Sequence, residues 1–69
     1  MNIMAKCRQM AKEHFLHGVS FFDKDGKIGA RGNDVDHIEL EFSNGEKINM
    51  TPKELAAVQN GCVFHLEKK

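Results

Sequence analysis

Three stretches of the sequence carry residue types that bind metal ions, and the first is Asp23-Lys24-Asp25-Gly26. An EF-hand calcium loop needs oxygen ligands at positions 1, 3, 5 and 12 and a glycine at position 6. With Gly26 at position 6, position 1 is Phe21 and position 12 is Gly32, so the first and last ligands are missing. Aspartate first and glycine fourth are typical of a type I turn. The stretch therefore predicts a chain reversal rather than a calcium site.

Each of the other two stretches contains two possible zinc ligands, three positions apart. They are His14 and His17 in one stretch and Cys62 and His65 in the other. On a helix, His14 and His17 would share a face, whereas on a strand Cys62 and His65 would point to opposite faces. A structural zinc site normally has four ligands in closely spaced pairs. The sequence therefore predicts no metal site and no cofactor.

Nucleophilic catalysis would use Cys7 or Cys62, with His14 or His65 as the base. Both cysteines lie among apolar residues, where a thiol stays protonated and unreactive. A chain of 69 residues also leaves little room for a ligand pocket of roughly 300 Å³ or more. We therefore predict that the protein is not an enzyme and has no small-molecule substrate.

The charges of the whole chain cancel, because ten basic residues balance ten acidic ones. A protein that binds nucleic acid through phosphate contacts usually has a basic excess, so the composition disfavours that class. The first residues lack the apolar run of a secretory signal, and no segment is long enough to span a membrane. We expect a single domain over residues 1–69 that is cytoplasmic and keeps its cysteines reduced.

Helical periodicity predicts two helices, each with one apolar face. Residues 3–15 gather their apolar side chains into one arc of a helical wheel, and Gly18 is the expected end of this helix. A shorter helix is predicted after Thr51, whose side chain would form a capping box with Glu54. Gly61 is expected to end it.

Between these helices, alternation with a period of two predicts two β-hairpins. Residues 37–42 alternate strictly between apolar and polar side chains. A three-residue loop with a left-handed Gly45 would pair Leu40 with Ile48, whereas a two-residue loop would set apolar residues opposite polar ones. The same register sets two further pairs, Ile38 with Met50 and Glu41 with Lys47. The first hairpin is predicted to use the same kind of loop, with Asp23 opposite Lys27.

The segment Cys62–Leu66 predicts a final strand that is apolar on both faces apart from His65. The predicted fold is therefore α+β: a single small domain in the order αββββαβ. Its antiparallel sheet would consist of two hairpins plus the C-terminal strand, with both helices packed on one face. The predicted core consists of Ile3, Cys7, Met10, Ile38, Leu40, Phe42, Ile48, Met50, Leu55, Val58, Phe64 and Leu66.

The predicted strands carry more apolar residues than one layer of two small helices can cover. Some of Val19, Phe21 or Phe22, with Val63 and Leu16, should therefore lie exposed or in a homo-oligomer interface. Adjacent Phe21 and Phe22 must face opposite sides of their strand, and exposed apolar surface of this kind marks contact sites for other proteins. An acidic strand face could also steer a basic partner. We predict that the partner-binding residues are Phe21, Phe22, Val63, His37, Glu39 and Glu41.

This interpretation describes a small non-enzymatic interaction module that binds another protein or itself, as a homodimer. Modules of this kind serve as inhibitors or adaptors, including those encoded by phages and mobile elements, and act by occupying a surface of the partner. The alternative hypothesis is a small nucleic-acid-binding regulator. It would use basic residues of the first helix and of the 24–33 turn region, namely Lys6, Arg8, Lys12, Lys24, Lys27 and Arg31.

Overall fold

The computed structural model describes residues 3–61 and 64–65, which form a small α+β domain. Its three-stranded antiparallel sheet has the strand order β1-β2-β3, and its helices α1 and α2 lie at the two ends of the described sequence. The elements are α1 (Ile3–Glu13), β1 (Leu16–Phe22), a single 3-10 turn (Gly32–Asp34), β2 (His37–Phe42), β3 (Lys47–Met50) and α2 (Pro52–Gly61). The predicted class is confirmed, but the described sheet has one strand fewer than the two predicted hairpins require.

The missing strand is the second half of the first hairpin. After its turn, Ile28 forms one isolated bridge with Phe22, and the chain then leaves the sheet. Gly29, with φ of 98°, marks the departure, because its left-handed backbone does not fit a strand. The predicted final strand, Cys62–Leu66, lies mostly outside the described residues.

The first helix ends at Glu13 rather than near Gly18, so its predicted end was wrong. Phe15 leaves the helix because its backbone pairs with Ser43: the Phe15 N–H donates to Ser43 Oγ at 3.1 Å, and the Phe15 carbonyl accepts from the Ser43 N–H at 2.8 Å. Leu16 then lies opposite Phe42 in the sheet and is buried. Gly18 belongs to β1, beside an irregularity in the strand register.

The predicted register of the second hairpin is confirmed at every pair. Ile38 lies opposite Met50, Leu40 opposite Ile48, and Glu41 opposite Lys47. The loop closes with the Phe42 N–H donating to the Glu46 carbonyl at 2.9 Å, and Gly45 is left-handed with φ of 88°. This register places the apolar members of both strands on one face of the sheet.

The capping box of α2 is also present. The Thr51 N–H donates to Glu54 Oε1 at 2.9 Å, and the Glu54 N–H donates to Thr51 Oγ1 at 3.2 Å. These reciprocal bonds satisfy two backbone donors that a helix start would otherwise leave unpaired. At the far end of α2, Arg8 of the first helix donates from Nε to the Gly61 carbonyl at 3.1 Å.

The core lies between the two helices and one face of the sheet. Most predicted members are buried, while Ile3, Leu55 and Phe64 are partly buried against the cluster and Leu66 lies outside the described residues. Two buried residues were not predicted, Ala11 and Leu16. Burial of each large aliphatic side chain stabilises the fold by about 1.5–3 kcal/mol, so this cluster holds the helices on the sheet. The buried residues are Cys7, Met10, Ala11, Leu16, Ile38, Leu40, Phe42, Ile48, Met50 and Val58.

Candidate interaction surface

The six predicted partner-binding residues do not form one surface. We call the side of the sheet that carries Ile38 and Leu40 the helix face, because it packs against the core. Phe21 lies directly opposite Ile38 and so belongs to the helix face, whereas Phe22 lies opposite His37 and belongs to the other face. Glu39 and Glu41 alternate with the core residues and share the face of Phe22. Val63 lies outside the described residues.

On the helix face, the edge strand β1 exposes two apolar side chains. Val19 is 42% exposed and Phe21 is 40% exposed, whereas their direct neighbours on β2, Leu40 and Ile38, are each 1% exposed. On β3, Ile48 lies opposite Leu40 and Met50 lies opposite Ile38, and both are buried. The helix face is therefore covered over β2 and β3 and open on β1 at Val19 and Phe21, whereas Leu16 at the start of β1, which was expected among the exposed residues, is buried. We call Val19 and Phe21 the β1 apolar pair.

Val19 was among the residues expected to lie exposed or in an interface, but it was not one of the six predicted binding residues. Val19 and Phe21 are two positions apart in one strand, so they share a face. If Phe21 faces outward, Val19 therefore lies beside it, but the sequence left open which of Phe21 and Phe22 does so. The sequence alone did not show which face the helices would leave uncovered.

On the opposite face, Phe22 is engaged by its neighbours within the chain. Its ring stacks on the ring of His37, with centroids 4.9 Å apart and planes 7° from parallel. His37 Nδ1 lies 3.0 Å from the Asp36 carboxylate. Phe22 is half-buried by this arrangement, which stabilises the end of the β1–β2 pairing.

Lys47 partly neutralises the negative charges of Glu39 and Glu41 on that face. Lys47 Nζ lies 3.8 Å from Glu39 Oε1, and Lys47 also faces Glu41 across the β2–β3 pair. The Glu39 side chain is 24% exposed, so it lies among its neighbours rather than projecting into solvent. An exposed ion pair of this kind contributes at most about 1 kcal/mol, but it lowers the net negative charge that a basic partner would meet.

The basic residues of the alternative hypothesis are dispersed. On α1, Lys6 borders an open groove of about 500 Å³ together with Glu13 and Glu46, while Arg8 is bonded to the Gly61 carbonyl. Lys12 lies in the last turn of α1, where a cation interacts favourably with the helix dipole. Arg8 and Lys12, four positions apart, are neighbours on α1, but Arg8 is engaged by Gly61 and Lys6 lies among acidic residues.

The remaining basic residues line a second open groove, of about 790 Å³, inside the loop that joins β1 to β2. Acidic residues alternate with them, so the groove has no single sign of charge. Its charged lining consists of Asp23, Lys24, Asp25, Lys27, Arg31, Asp34 and Asp36. No observation here favours phosphate over any other ligand, and the nucleic-acid hypothesis stays a prediction.

The calcium-like stretch forms the predicted turn. Asp23 Oδ1 accepts hydrogen bonds from the N–H groups of Asp25 and Lys27, each at 2.9 Å. Gly26 is left-handed with φ of 81°, and the Asp23 N–H donates to the Lys27 carbonyl. The carboxylate of Asp23 therefore holds the backbone of its own turn.

The other candidates for chemistry are separated by the fold. His14 follows the end of α1, and exposed His17 lies in β1, so the two do not share a helix face. Cys7 is fully buried, and Cys62 lies outside the described residues. Within residues 3–61 and 64–65, no three histidine, cysteine or acidic side chains gather closely enough to hold a metal ion. Neither helix in this part of the chain has the length and apolar character needed to cross a membrane.

Comparison of the chain with protein families, curated proteins and solved structures finds no match. Function is therefore inferred from the geometry of the β1 apolar pair and its surroundings.

Proposed function

We propose that the chain is a small non-enzymatic protein–protein interaction module, which acts by occupying a surface of a partner protein through the β1 apolar pair. The observation that carries this proposal is the exposure of Val19 and Phe21 beside core residues that are almost completely buried. Contiguous exposed apolar side chains are typical of contact sites. Phe15 and Ile28 are also exposed, at 53% and 64%, but Val19 and Phe21 are neighbours on one face of one strand.

Binding is favoured because the β1 apolar pair lies in a strand that is already ordered. Both residues lie in a regular strand whose register with β2 is fixed on either side of them, from Gly18 to Phe22. A partner that contacts such a strand does not have to order a loop, so little conformational entropy is lost on association. Phe21 also supplies the kind of aromatic side chain that concentrates binding energy at interfaces.

An inhibitor or an adaptor is the role that best suits such a module, because either works by covering a surface and needs no chemistry of its own. We propose a cytoplasmic protein as the partner. A second copy of this chain is the competing occupant.

The test compares partner capture by matched variants of the full chain. Val19→Thr/Phe21→Thr removes the apolar surface and keeps residues that favour strands. Ile28→Thr is the control, because Ile28 is 64% exposed and pairs with Phe22 on the opposite face. Each protein is immobilised and exposed to native lysate, and the captured proteins are identified by mass spectrometry.

We expect a partner that the wild type and Ile28→Thr retain and the double variant loses. Equal capture by all three would contradict the proposal. Binding to generic DNA or RNA that falls steeply with salt and is weakened by Arg8→Ala or Arg31→Ala would favour the nucleic-acid hypothesis instead.

A further inference from the structure

The two outer edges of the sheet differ in how they are protected. A strand at the edge of a sheet presents unpaired N–H and carbonyl groups, and proteins usually shield them with lysine, proline or a very short strand. The β3 edge follows this rule: it has four residues, carries Lys47 and is followed by Pro52. The seven residues of β1 include neither lysine nor proline.

Hydrogen bonds at the end of β1 show which backbone groups face outward. The Phe21 carbonyl accepts from the Gly29 N–H at 2.8 Å, and the Asp23 N–H donates to Lys27, so these residues point away from β2. Strand residues alternate in this respect, so the Val19 N–H and carbonyl and the Phe21 N–H also point outward. Among the hydrogen bonds of the described residues, none reaches these three groups.

At both ends of β1, the outward-facing backbone groups are already hydrogen-bonded within the chain. At the start of β1, the Leu16 N–H donates to the His65 carbonyl at 2.8 Å, and at its end the Gly29 N–H occupies the Phe21 carbonyl. Within residues 3–61 and 64–65, the outward-facing groups left without a hydrogen-bond partner form a short segment of edge centred on Val19. Its side chains on the helix face are the β1 apolar pair.

The surroundings of the open edge favour an extended segment over a second globular copy. The unpaired groups of Val19 and Phe21 lie between the Leu16–His65 and Phe21–Gly29 hydrogen bonds, and a second copy would carry the same flanking segments beside its own β1. Those flanks would meet before two such edges could pair along their length. An extended segment would gain main-chain hydrogen bonds in addition to the apolar contact.

We propose that the outer edge of β1 around Val19 binds an extended segment of a partner protein by strand addition. The segment carries apolar residues at alternate positions, so that they lie beside the β1 apolar pair on the helix face. This inference rests on the proposed function and specifies how the partner is bound.

The first test uses amide hydrogen exchange, measured by NMR on the full chain. In the free protein, we expect the Val19 and Phe21 amides to exchange at least about tenfold faster than the Ser20 amide, which faces β2. A Val19 amide that exchanges as slowly as that of Ser20 in the free chain would overturn the inference.

The second test adds a synthetic peptide of alternating valine and threonine with a lysine at each end. We expect saturable binding that slows exchange of the Val19 and Phe21 amides by about tenfold. The control peptide has the same side chains but N-methylated central amides, and we expect it not to bind. No binding of the first peptide, or equal binding of both, would overturn strand addition.

Two variants locate the binding edge. Val19→Lys places a charge on the helix face of the edge, and we expect at least about tenfold weaker peptide binding. Ser20→Lys is the matched control, because its side chain lies on the opposite face, and it should keep peptide affinity within about twofold. Equal weakening by both would count against the edge.

Light scattering tests the competing occupant: a dimer that dissociates on Val19→Lys substitution would replace the partner segment with a second copy. If the capture experiment finds a partner that depends on Phe21 while the valine–threonine peptide fails to bind, strand addition is wrong and the proposed function stands.

Discussion

Two turns of the molecule share one backbone geometry and lead to different structures. In the first, the Asp23 N–H donates to the Lys27 carbonyl at 3.1 Å, and in the second the Phe42 N–H donates to the Glu46 carbonyl at 2.9 Å. Each loop contains a left-handed glycine, with φ of 81° in the first turn and 88° in the second. Only the second turn is followed by a regular strand.

The difference comes from the residues that follow each loop. After the second turn, Ile48 and Met50 alternate with polar residues and are buried in the core. After the first, Ile28 is 64% exposed and glycines follow at positions 29 and 32. Ordering a strand costs about 1–2 kcal/mol of backbone entropy per residue, and only buried side chains offset it. A turn sequence therefore specifies a reversal, and the alternation beyond it decides whether a strand forms.

The largest predicted effect tests this explanation directly. Ile48→Ala should lower the free energy of unfolding by about 2–5 kcal/mol, because it removes a buried side chain and leaves a cavity. Ile28→Ala, the same change after the first turn, should alter it by less than about 0.5 kcal/mol. Urea denaturation measures both. A comparable loss for the two variants would mean that the first hairpin contributes to the core.

The next largest loss of stability is expected when alanine replaces the left-handed glycine of either turn. Alanine in a left-handed conformation costs about 1–2 kcal/mol, and a Cβ at Gly26 or Gly45 would meet no atom within 4 Å, so backbone strain alone should act. Gly45→Ala should cost this full amount, because its loop joins two core strands. Gly26→Ala should cost less in global unfolding, since the first turn can rearrange without moving the core. Equal losses in thermal unfolding would contradict this distinction.

A smaller effect concerns the side chains that brace the turns. Asp23 Oδ1 accepts two backbone hydrogen bonds, whereas Asn44 Oδ1 accepts one, from the Glu46 N–H at 3.1 Å. Asp23→Ala should therefore release the Asp25 and Lys27 amides to faster hydrogen exchange. We expect it to lower global stability by no more than about 1 kcal/mol. Asn44→Ala should release only the Glu46 amide. Unchanged exchange at Lys27 would show that the turn holds without the carboxylate.

The smallest effect is expected at the surface of the second hairpin. Lys47→Ala removes the ion pair with Glu39 at 3.8 Å, whose lysine side chain is 53% exposed. The cost should be below about 0.5 kcal/mol, and the difference from the wild type should shrink at 1 M salt, where charges are screened. Denaturation at two salt concentrations measures it. A salt-independent loss would point to packing of the lysine stem instead.

Local rules were enough to predict the second hairpin, the capping box and both turns from the sequence. Each of these features involves residues within a few positions of one another, and a wrong register would have set polar side chains in the core. The helix end at Glu13 was wrong because Phe15 pairs with Ser43, 28 residues away. Nothing in the first fifteen residues records that contact.

The candidate surface was predictable only in part, for a related reason. The alternation rule places Phe21 and Phe22 on opposite faces, but it does not say which face the helices cover or how far their cover extends. That depends on how α1 and α2 pack together over β2 and β3. Val19 was therefore expected only as one of several exposed residues and not as a binding residue, and Phe22 was assigned to a surface that its stacking on His37 partly removes.

The contact between Arg8 and Gly61 has a consequence for synthesis of the protein. It joins residues 53 positions apart, and the fully buried Cys7 and Val58 come from the same two helices. Because a ribosome makes the chain from its N-terminus, α1 and the sheet emerge before α2 can complete the core. The domain should therefore finish folding only after α2 has been made. A nascent chain that stops before residue 52 would leave Ile38 and Leu40 incompletely covered and open to chaperones.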